Sequence, residues 1–388
     1  MLNFSYVSPT QFVFGSNAEA SLVEESSKLG KVILLHYGGG SIVKSGLYER
    51  IKKYLAKTSA KIIELGGVKP NPSLALVRKG IELCRTQGVT GVLAVGGGSV
   101  IDSAKAIAIG VPYSGDVWDF FTEKATAAAA LPLGVVLTLP AAGSEGSSSS
   151  VITDVPSKSK FDYEHDLMRP VFSLMNPELT YTLSPFQTAC GVTDMISHVL
   201  ERYFTHTEDV DLSDRLCEAV LRSVIITAPK VLANPTDYAG RAELMWASTI
   251  AHIDLVGLGR EGDWASHRIE HELSAQYEVA HGAGLAVIFP AWMEYVLKEN
   301  LSKTVQFALR IWNVEYVAGR ETQIALEGIR RLKNFYDSIG MPTNLKTLGV
   351  KDNRYNVMAE KAVRSGPLGG VKKLDKEDVV SIYALAEA

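Results

Sequence analysis

The stretch Gly91-Val-Leu-Ala-Val95-Gly96-Gly97-Gly98-Ser99-Val-Ile-Asp102 reads as a strand, a triple-glycine turn and the start of a helix. An uninterrupted run of apolar and small residues suits a strand covered on both faces. Glycines let a backbone approach a diphosphate closely, and the following helix N-terminus offers unpaired N–H groups and a favourable dipole. Ser99 is a candidate cap for that helix. The spacing is not G-x-G-x-x-G, and a tight strand–helix turn with no ligand is the competing reading.

Outward from this stretch, the first half of the chain repeats the pattern. Strand-like runs lie at 31–37, 61–65, 134–139 and 171–174, and helix-like stretches at 47–57, 73–87 and 100–108. Such alternation predicts βαβ units and a parallel, Rossmann-like sheet. The character changes at Leu183-Ser184-Pro185, where proline suits a helix start. Beyond it the helical stretches are 186–203, 211–228, 240–256, 264–277, 283–297, 305–311 and 321–339. The expectation is an α/β dinucleotide-binding domain over residues 1–184 and an all-helical metal-binding domain over 185–388.

Composition narrows the function classes. The chain has 388 residues, 46% hydrophobic and 21% charged, with a formal charge of −4. That charge makes no electrostatic case for nucleic acid or an anionic membrane. Cys84, Cys190 and Cys217 form no C-x-x-C, so neither a disulfide framework nor a thiolate metal site is indicated. No secretory signal opens the sequence, and the apolar run from Ala127 to Ala142 is broken by Pro132, Gly134 and Pro140. A cytoplasmic location is the default expectation.

A second glycine cluster, Tyr37-Gly38-Gly39-Gly40-Ser41, follows the first predicted strand. A fold preferring NAD usually carries Asp or Glu near such a position to bind the ribose 2′-hydroxyl. Here glycine, Ser41 and nearby Lys44 stand instead, so no carboxylate repels a 2′-phosphate, and a preference for NADP(H) over NAD(H) is expected. A plain turn is again the alternative. The third stretch, Thr138-Leu139-Pro-Ala-Ala-Gly143-Ser144-Glu145-Gly-Ser147-Ser-Ser-Ser150, is by composition a flexible loop. Its place at the carboxyl end of a predicted strand is where open sheets bind ligands.

Histidine is concentrated in His267-Arg-Ile-Glu270-His271 and, ten residues on, His281-Gly282. Residues four apart on a helix share a face, which His267 and His271 do. Upstream, Asp194 and His198 have the same spacing. One carboxylate and three imidazoles suit Fe(II), Zn(II), Mn(II) or Ni(II). A surface hydrogen bond between Asp194 and His198 is the plainer reading. His252 is read as a helix residue with no metal role, and His36 as a hydrogen-bonded core residue. His267-x-x-Glu270-His271 also fits the HxxEH zinc-metallopeptidase pattern with Glu270 as general base, but that leaves the glycine loops and Asp194–His198 without a part.

Taken together these motifs resemble the iron-containing (group III) alcohol dehydrogenases, within them the NADPH-dependent butanol dehydrogenase and aldehyde reductase branch. The resemblance runs nearly end to end: residues 9–15, 37–41, 67–72, 94–102 and 138–145, then Asp194-x3-His198 and His267-x3-His271-x9-His281-Gly282. It implies that Asp194, His198, His267 and His281 bind one divalent metal, Fe2+ or alternatively Zn2+. His271 would lie beside the nicotinamide and substrate, either supporting the metal ligands from outside or relaying a proton. Gly97, Gly98, Ser99 and Asp102 would hold the diphosphate, and Thr138, Leu139 and Ser144 would line the cofactor site. Asn71 would lie near the adenosine and Lys160 near the ribose. Gly38, Gly39, Gly40 and Ser41 match members that accept NADP, whereas NAD-preferring members tend to carry Asp near Gly39. The sequence departs from the family pattern at Glu145-Gly-Ser147-Ser-Ser-Ser150, where many members read Glu-x-Asn-Ala-Gly-Ala.

The implied activity is reversible hydride transfer between NADP(H) and a primary alcohol/aldehyde pair such as butanol/butanal. A non-catalytic metal- or nucleotide-binding protein is the other class to separate. The expected partner is a small molecule rather than nucleic acid or membrane. A homodimer is expected from the family and from the apolar Phe12-Val-Phe14.

Overall fold

The computed structural model of the chain describes residues 1–387. They form two compact units. The first comprises Val7–Leu183 together with Pro235–Thr249. Its main sheet has six parallel strands in the order β1-β8-β5-β4-β2-β3. These are β1 (Gln11–Phe14), β2 (Val32–Gly38), β3 (Lys61–Val68), β4 (Gly91–Gly97), β5 (Leu133–Leu139) and β8 (Phe172–Met175). Helices α1 (Leu47–Leu55), α2 (Leu74–Gln87) and α3 (Gly98–Gly110) lie in the crossovers.

The apolar runs are explained by the two faces of this sheet. Leu34, Val92, Ala94, Val135 and Leu137 enter one buried cluster. Their neighbours Ile33, Leu35, Leu93, Val95 and Val136 enter another. Successive strand residues point to opposite faces, so a strand covered on both must be apolar throughout. His36, on β2, is fully buried. Its Nδ1 donates to the Leu65 carbonyl oxygen at 2.8 Å and its Nε2 accepts from the Ser103 hydroxyl at 2.8 Å.

An antiparallel hairpin of β6 (Ser149–Asp154) and β7 (Ser159–Glu164) has no counterpart in the sequence reading. Serine-rich β6 looks like a loop because serine has little intrinsic preference for strands. Tertiary hydrogen bonds override that preference. Val151 N donates to Asp102 Oδ2 at 3.1 Å, and Thr153 N donates to the Pro72 carbonyl oxygen at 2.9 Å.

The second unit comprises Met1–Tyr6, Ser184–Asn234 and Ile250–Ala388. It contains α4 (Pro185–Tyr203), α5 (Asp211–Ala233), α7 (Ala265–Tyr277) and α8 (His281–Tyr295). After these come α9 (Leu301–Arg310), α10 (Glu321–Ser338), α11 (Tyr355–Ala362) and α12 (Lys376–Leu385). Among its described residues the only extended pairing is an isolated bridge between Leu368 and Leu374. No helix of the described residues is long and apolar enough to cross a membrane.

The units therefore differ from a single division at 184/185. Helix α6 (Tyr238–His252) belongs to the first unit as far as Thr249. Met245 is in the sheet's core, Trp246 packs edge-on against Phe12 with centroids 5.8 Å apart, and the Thr249 hydroxyl donates to Glu145 Oε1 at 2.6 Å. The first six residues are held by the helical unit through a 2.8 Å bond from Leu2 N to the Gly259 carbonyl oxygen. Both attachments depend on contacts far apart in sequence, which periodicity does not reveal.

Candidate metal centre and nucleotide loops

Three helices of the second unit build the metal centre. Helix α4 starts with a capping box of Ser184 and Gln187 and has Pro185 in its first turn. Asp194, His198 and Glu201 then follow at i, i+4 and i+7 on one stripe of α4, and all three are buried. Glu201 ties α4 to α7. Its Oε2 accepts from Trp264 N at 2.7 Å and its Oε1 from His267 N at 3.1 Å. These are N–H groups that the start of a helix leaves without intrahelical partners, and an anion is favoured there. Helix α8 begins at His281, two residues before the helical stretch expected from sequence. A side chain at Gly282 would meet the Cys190 carbonyl oxygen at 2.2 Å, so glycine is what lets α8 approach the backbone of α4.

The result is a convergence on one oxygen. Asp194 Oδ1 lies 3.4 Å from His198 Nε2, 3.8 Å from His267 Nε2 and 3.7 Å from His281 Nε2. Asp194, His267 and His281 each bring a ligand atom within 4.8 Å of the other two, and His198 joins through its contact with Asp194. Asp194 Oδ1 and His267 Nε2 are buried and have no hydrogen-bond partner among the described residues. Orphaned buried polar atoms are costly and call for an explanation. A four-coordinate ion with bonds near 2.1 Å sets its ligand atoms roughly 3.4 Å apart, so this donor set fits one divalent ion.

The surrounding charges favour a cation. Glu201 Oε1 lies 2.8 Å from His267 Nδ1, and Glu270 Oε2 contacts His281 Nδ1. Both glutamates are fully buried. Burial pushes the pKa of His267 down, but the Asp194 and Glu201 carboxylates outweigh it and hold it at about 9. His198 has no such carboxylate behind it. Burial, then the neighbouring His252 and His267, hold it well below the ordinary value and keep the ring neutral.

His271 is placed differently from His267. It is buried one turn further along α7, with its ring centroid 5.4 Å from that of His281, and its ligand atom groups with Glu270 and His281 rather than with Asp194. This arrangement does not support the HxxEH reading, which needs both histidines on one ion and an accessible glutamate between them. Glu270 is instead turned to His281 and to the Ser274 hydroxyl. Sequence reasoning missed Glu201, although its i+7 spacing from Asp194 was a legible signal. It also missed that the ring of His252, at the end of α6, lies tilted against that of His198, with centroids 4.1 Å apart. Tertiary packing alone brings those rings together.

The glycine loops are in the first unit. Helix α3 is entered from Gly97, and Ser99 makes no cap, contrary to the expectation. A side chain at Gly97 would meet Leu139 Cβ at 2.9 Å, whereas one at Gly98 or Gly39 would meet nothing within 4 Å. Open space beside the backbone is what an approaching ligand needs. Asp102 is half-buried and committed to the protein: its Oδ1 accepts from Ser144 Oγ at 2.6 Å, and its carbonyl oxygen accepts from Ser150 Oγ at 2.9 Å. Asp102 and Ser144 thus pin the third stretch, which is not a loose loop. Lys105, unremarked in the sequence, completes that anchorage by donating to the carbonyl oxygens of Ser147 and Ser149, each at 2.8 Å. Burial brings its pKa down to about 8. Thr138 and Leu139 end β5, Gly38 ends β2, Gly40 precedes and Ser41 begins a one-turn helix, Ser41–Lys44, and Lys160 is buried on β7. Asn71 takes a left-handed conformation, φ 56°, in the loop after β3.

Residues 9–177 match the model of iron-containing alcohol dehydrogenase, and residues 188–386 match that of the Fe-containing alcohol dehydrogenase family, C-terminal. The chain belongs to the iron-containing alcohol dehydrogenase family. It is an oxidoreductase of the alcohol dehydrogenase/aldehyde reductase class. Among its relatives, the probable NADH-dependent butanol dehydrogenase 1 of Bacillus subtilis is 44% identical over 98% of this dehydrogenase and 99% of its own length. The NADPH-dependent aldehyde reductase YqhD of Escherichia coli is 36% identical over 94% of each chain. The crystal structure of NADH-dependent butanol dehydrogenase A from Thermotoga maritima superposes with a TM-score of 0.96 at 38% identity, covering 100% of this chain and 99% of that one. These relatives place the dehydrogenase in the butanol dehydrogenase/aldehyde reductase branch.

Proposed function

We propose that this dehydrogenase interconverts a primary aldehyde such as butanal and its alcohol using NADP(H). In this reading Asp194, His198, His267 and His281 hold one divalent metal, Fe2+ with Zn2+ as the alternative. The observation that carries the reading is the convergence of three imidazole Nε2 atoms on the unpartnered Asp194 Oδ1. When bound, such an ion supplies Lewis-acid polarisation of the substrate oxygen.

The chain's own residues do the rest. Glu201 holds the His267 ring through Nδ1, which leaves Nε2 facing Asp194. His271, off the Asp194 group but against His281, carries the proton that the product oxygen requires. The glycine turn at Gly97–Gly98 and Ser99 receives the diphosphate on the N-terminus of α3. Asp102 and Ser144 act together to keep the strand-end loop beside that turn. Thr138, Leu139, Asn71 and Lys160 line the remainder of the nucleotide site. Residues 1–184 thus supply most of the nucleotide site and 185–388 the metal centre.

For cofactor choice the relatives' names divide between NADH and NADPH, so the preference rests on this chain's residues. Position 39 carries no carboxylate, its surroundings are open, and Gly38, Gly40 and Ser41 offer backbone N–H and hydroxyl donors to a 2′-phosphate. We also propose a homodimer. Strand β1 is at an edge of the sheet, and Phe14 on it is exposed.

The deciding experiment follows NADPH oxidation with butanal after the protein is stripped with chelator and then reloaded with Fe2+ or Zn2+. Metal-restored turnover is expected. Metal binding without turnover of any aldehyde in a panel would instead indicate a binding protein, and a parallel casein digestion excludes or reveals peptidase activity.

A further inference from the structure

Glu270 was singled out by the HxxEH pattern, and the reaction proposed above gives it no part. It is fully buried on α7, its Oε2 contacts His281 Nδ1, and its Oε1 accepts from the Ser274 hydroxyl. We propose that Glu270 is a positioning residue for the metal centre, holding the His281 ring so that its Nε2 faces Asp194. This rests on the metal-dependent reading of the site.

Three observations carry the proposal. First, His281 is the site histidine most in need of a hold. Its side chain is 25% exposed against 6% for His267 and 7% for His198, and it stands at the first residue of α8 rather than inside a helix. A carboxylate accepting from Nδ1–H fixes both the tautomer and the ring plane and leaves the Nε2 lone pair available. Second, the packing reserves room for this carboxylate. A side chain at Gly284, also on α8, would meet Glu270 Oε1 at 2.4 Å, Cγ at 2.8 Å and Cδ at 3.0 Å. Third, the arrangement is duplicated. Glu201 from α4 holds His267 from behind as Glu270 from α7 holds His281, and both carboxylates are fully buried. Two buried carboxylates, each behind a different imidazole whose far nitrogen meets the same aspartate oxygen, form one construction. A general base would need contact with solvent, which neither fully buried glutamate has.

The test uses the full chain, stripped of metal and titrated with Zn2+ against a competing chelator, and with Co2+ followed by its visible absorption. Glu270→Ala should weaken Zn2+ binding by about 10–100-fold, the range for lost outer partners of ligating histidines, and alter the Co2+ spectrum. Glu270→Gln should stay close to wild type. Its amide oxygen still accepts from Nδ1–H, and its amide nitrogen can donate to the Ser274 oxygen once the hydroxyl rotates. Gly284→Ala, which leaves Glu270 in place chemically but displaces it, should weaken binding in the same direction. It decides the matter if Glu270→Ala does not fold. Wild-type affinity and an unchanged Co2+ spectrum in Gly284→Ala and in folded Glu270→Ala would overturn the proposal. A wild-type chain that takes up neither ion would overturn the reading beneath it.

Discussion

Glu201 Oε1 lies 2.8 Å from His267 Nδ1 while also accepting the His267 backbone N–H at 3.1 Å. One carboxylate oxygen therefore sets both where helix α7 begins and which way its first histidine faces. Glu201→Gln cannot reproduce this. Whichever way the amide is turned, its NH2 meets N–H donors, either those of His267 or that of Trp264. Metal affinity is expected to fall by at least about 10-fold, and by more than in Glu270→Gln. Chelator-competition titration of the two variants side by side checks the ranking, and equal affinities would contradict the difference in their surroundings.

His271→Ala should separate binding from rate. His271 is grouped with Glu270 and His281, not with Asp194, so the variant should retain one ion per chain by elemental analysis. The rate of aldehyde reduction should fall by roughly 10²–10⁴-fold, the usual contribution of a positioned proton carrier. His267→Ala should lose ion and turnover together. Loss of metal from His271→Ala would show that the division of the histidines drawn here is wrong.

Gly39→Asp tests cofactor choice with little steric disturbance, because a side chain there meets nothing within 4 Å. The new carboxylate should repel a 2′-phosphate and accept from a ribose 2′-hydroxyl. The ratio of kcat/KM for NADPH to that for NADH should drop by about 10-fold or more, corresponding to roughly 1.4 kcal/mol. An unchanged ratio in steady-state kinetics would remove position 39 from the cofactor site.

His36 should make the fold sensitive to acid. Burial, partly offset by the bond to Leu65, lowers its pKa from 6.5 to about 4. Below pH 6.5 the unfolded chain takes up a proton that the folded chain refuses until about pH 4. The stability contribution is therefore complete above pH 6.5 and is lost as pH falls towards 4, about 3 kcal/mol in all. Urea unfolding at pH 7 and pH 4 should show a smaller loss for His36→Asn than for wild type by that order. Identical losses would mean that His36 does not titrate between folded and unfolded states as described.

The parts of the molecule legible in the sequence are those governed by local rules. Strands β2, β4 and β5 are visible because burial on both faces requires unbroken apolar runs, and their alternate residues do enter two separate clusters. The start of α4 is visible because Ser184, Pro185 and Gln187 are local capping chemistry. The pairing of Asp194 with His198 is visible because four residues make about one helical turn. Strand β6 was illegible because its hydrogen bonds come from Asp102 and Pro72, and the first-unit membership of α6 because it depends on Glu145 and Phe12.

The histidine segment shows where the boundary falls. By itself the sequence determined that His267, His271 and His281 are concentrated near a helix whose first two histidines share a face. The family resemblance told His267 and His281 from His271, but not what holds them. Only the tertiary structure brought three Nε2 atoms to one aspartate oxygen, placed Glu201 and Glu270 behind two of the rings, and grouped His271 with Glu270 and His281 rather than with Asp194. Helical periodicity specifies which residues share a face. Which face meets which is set by the approach of helices far apart in sequence, here by Gly282 against Cys190 and by Glu201 at the start of α7.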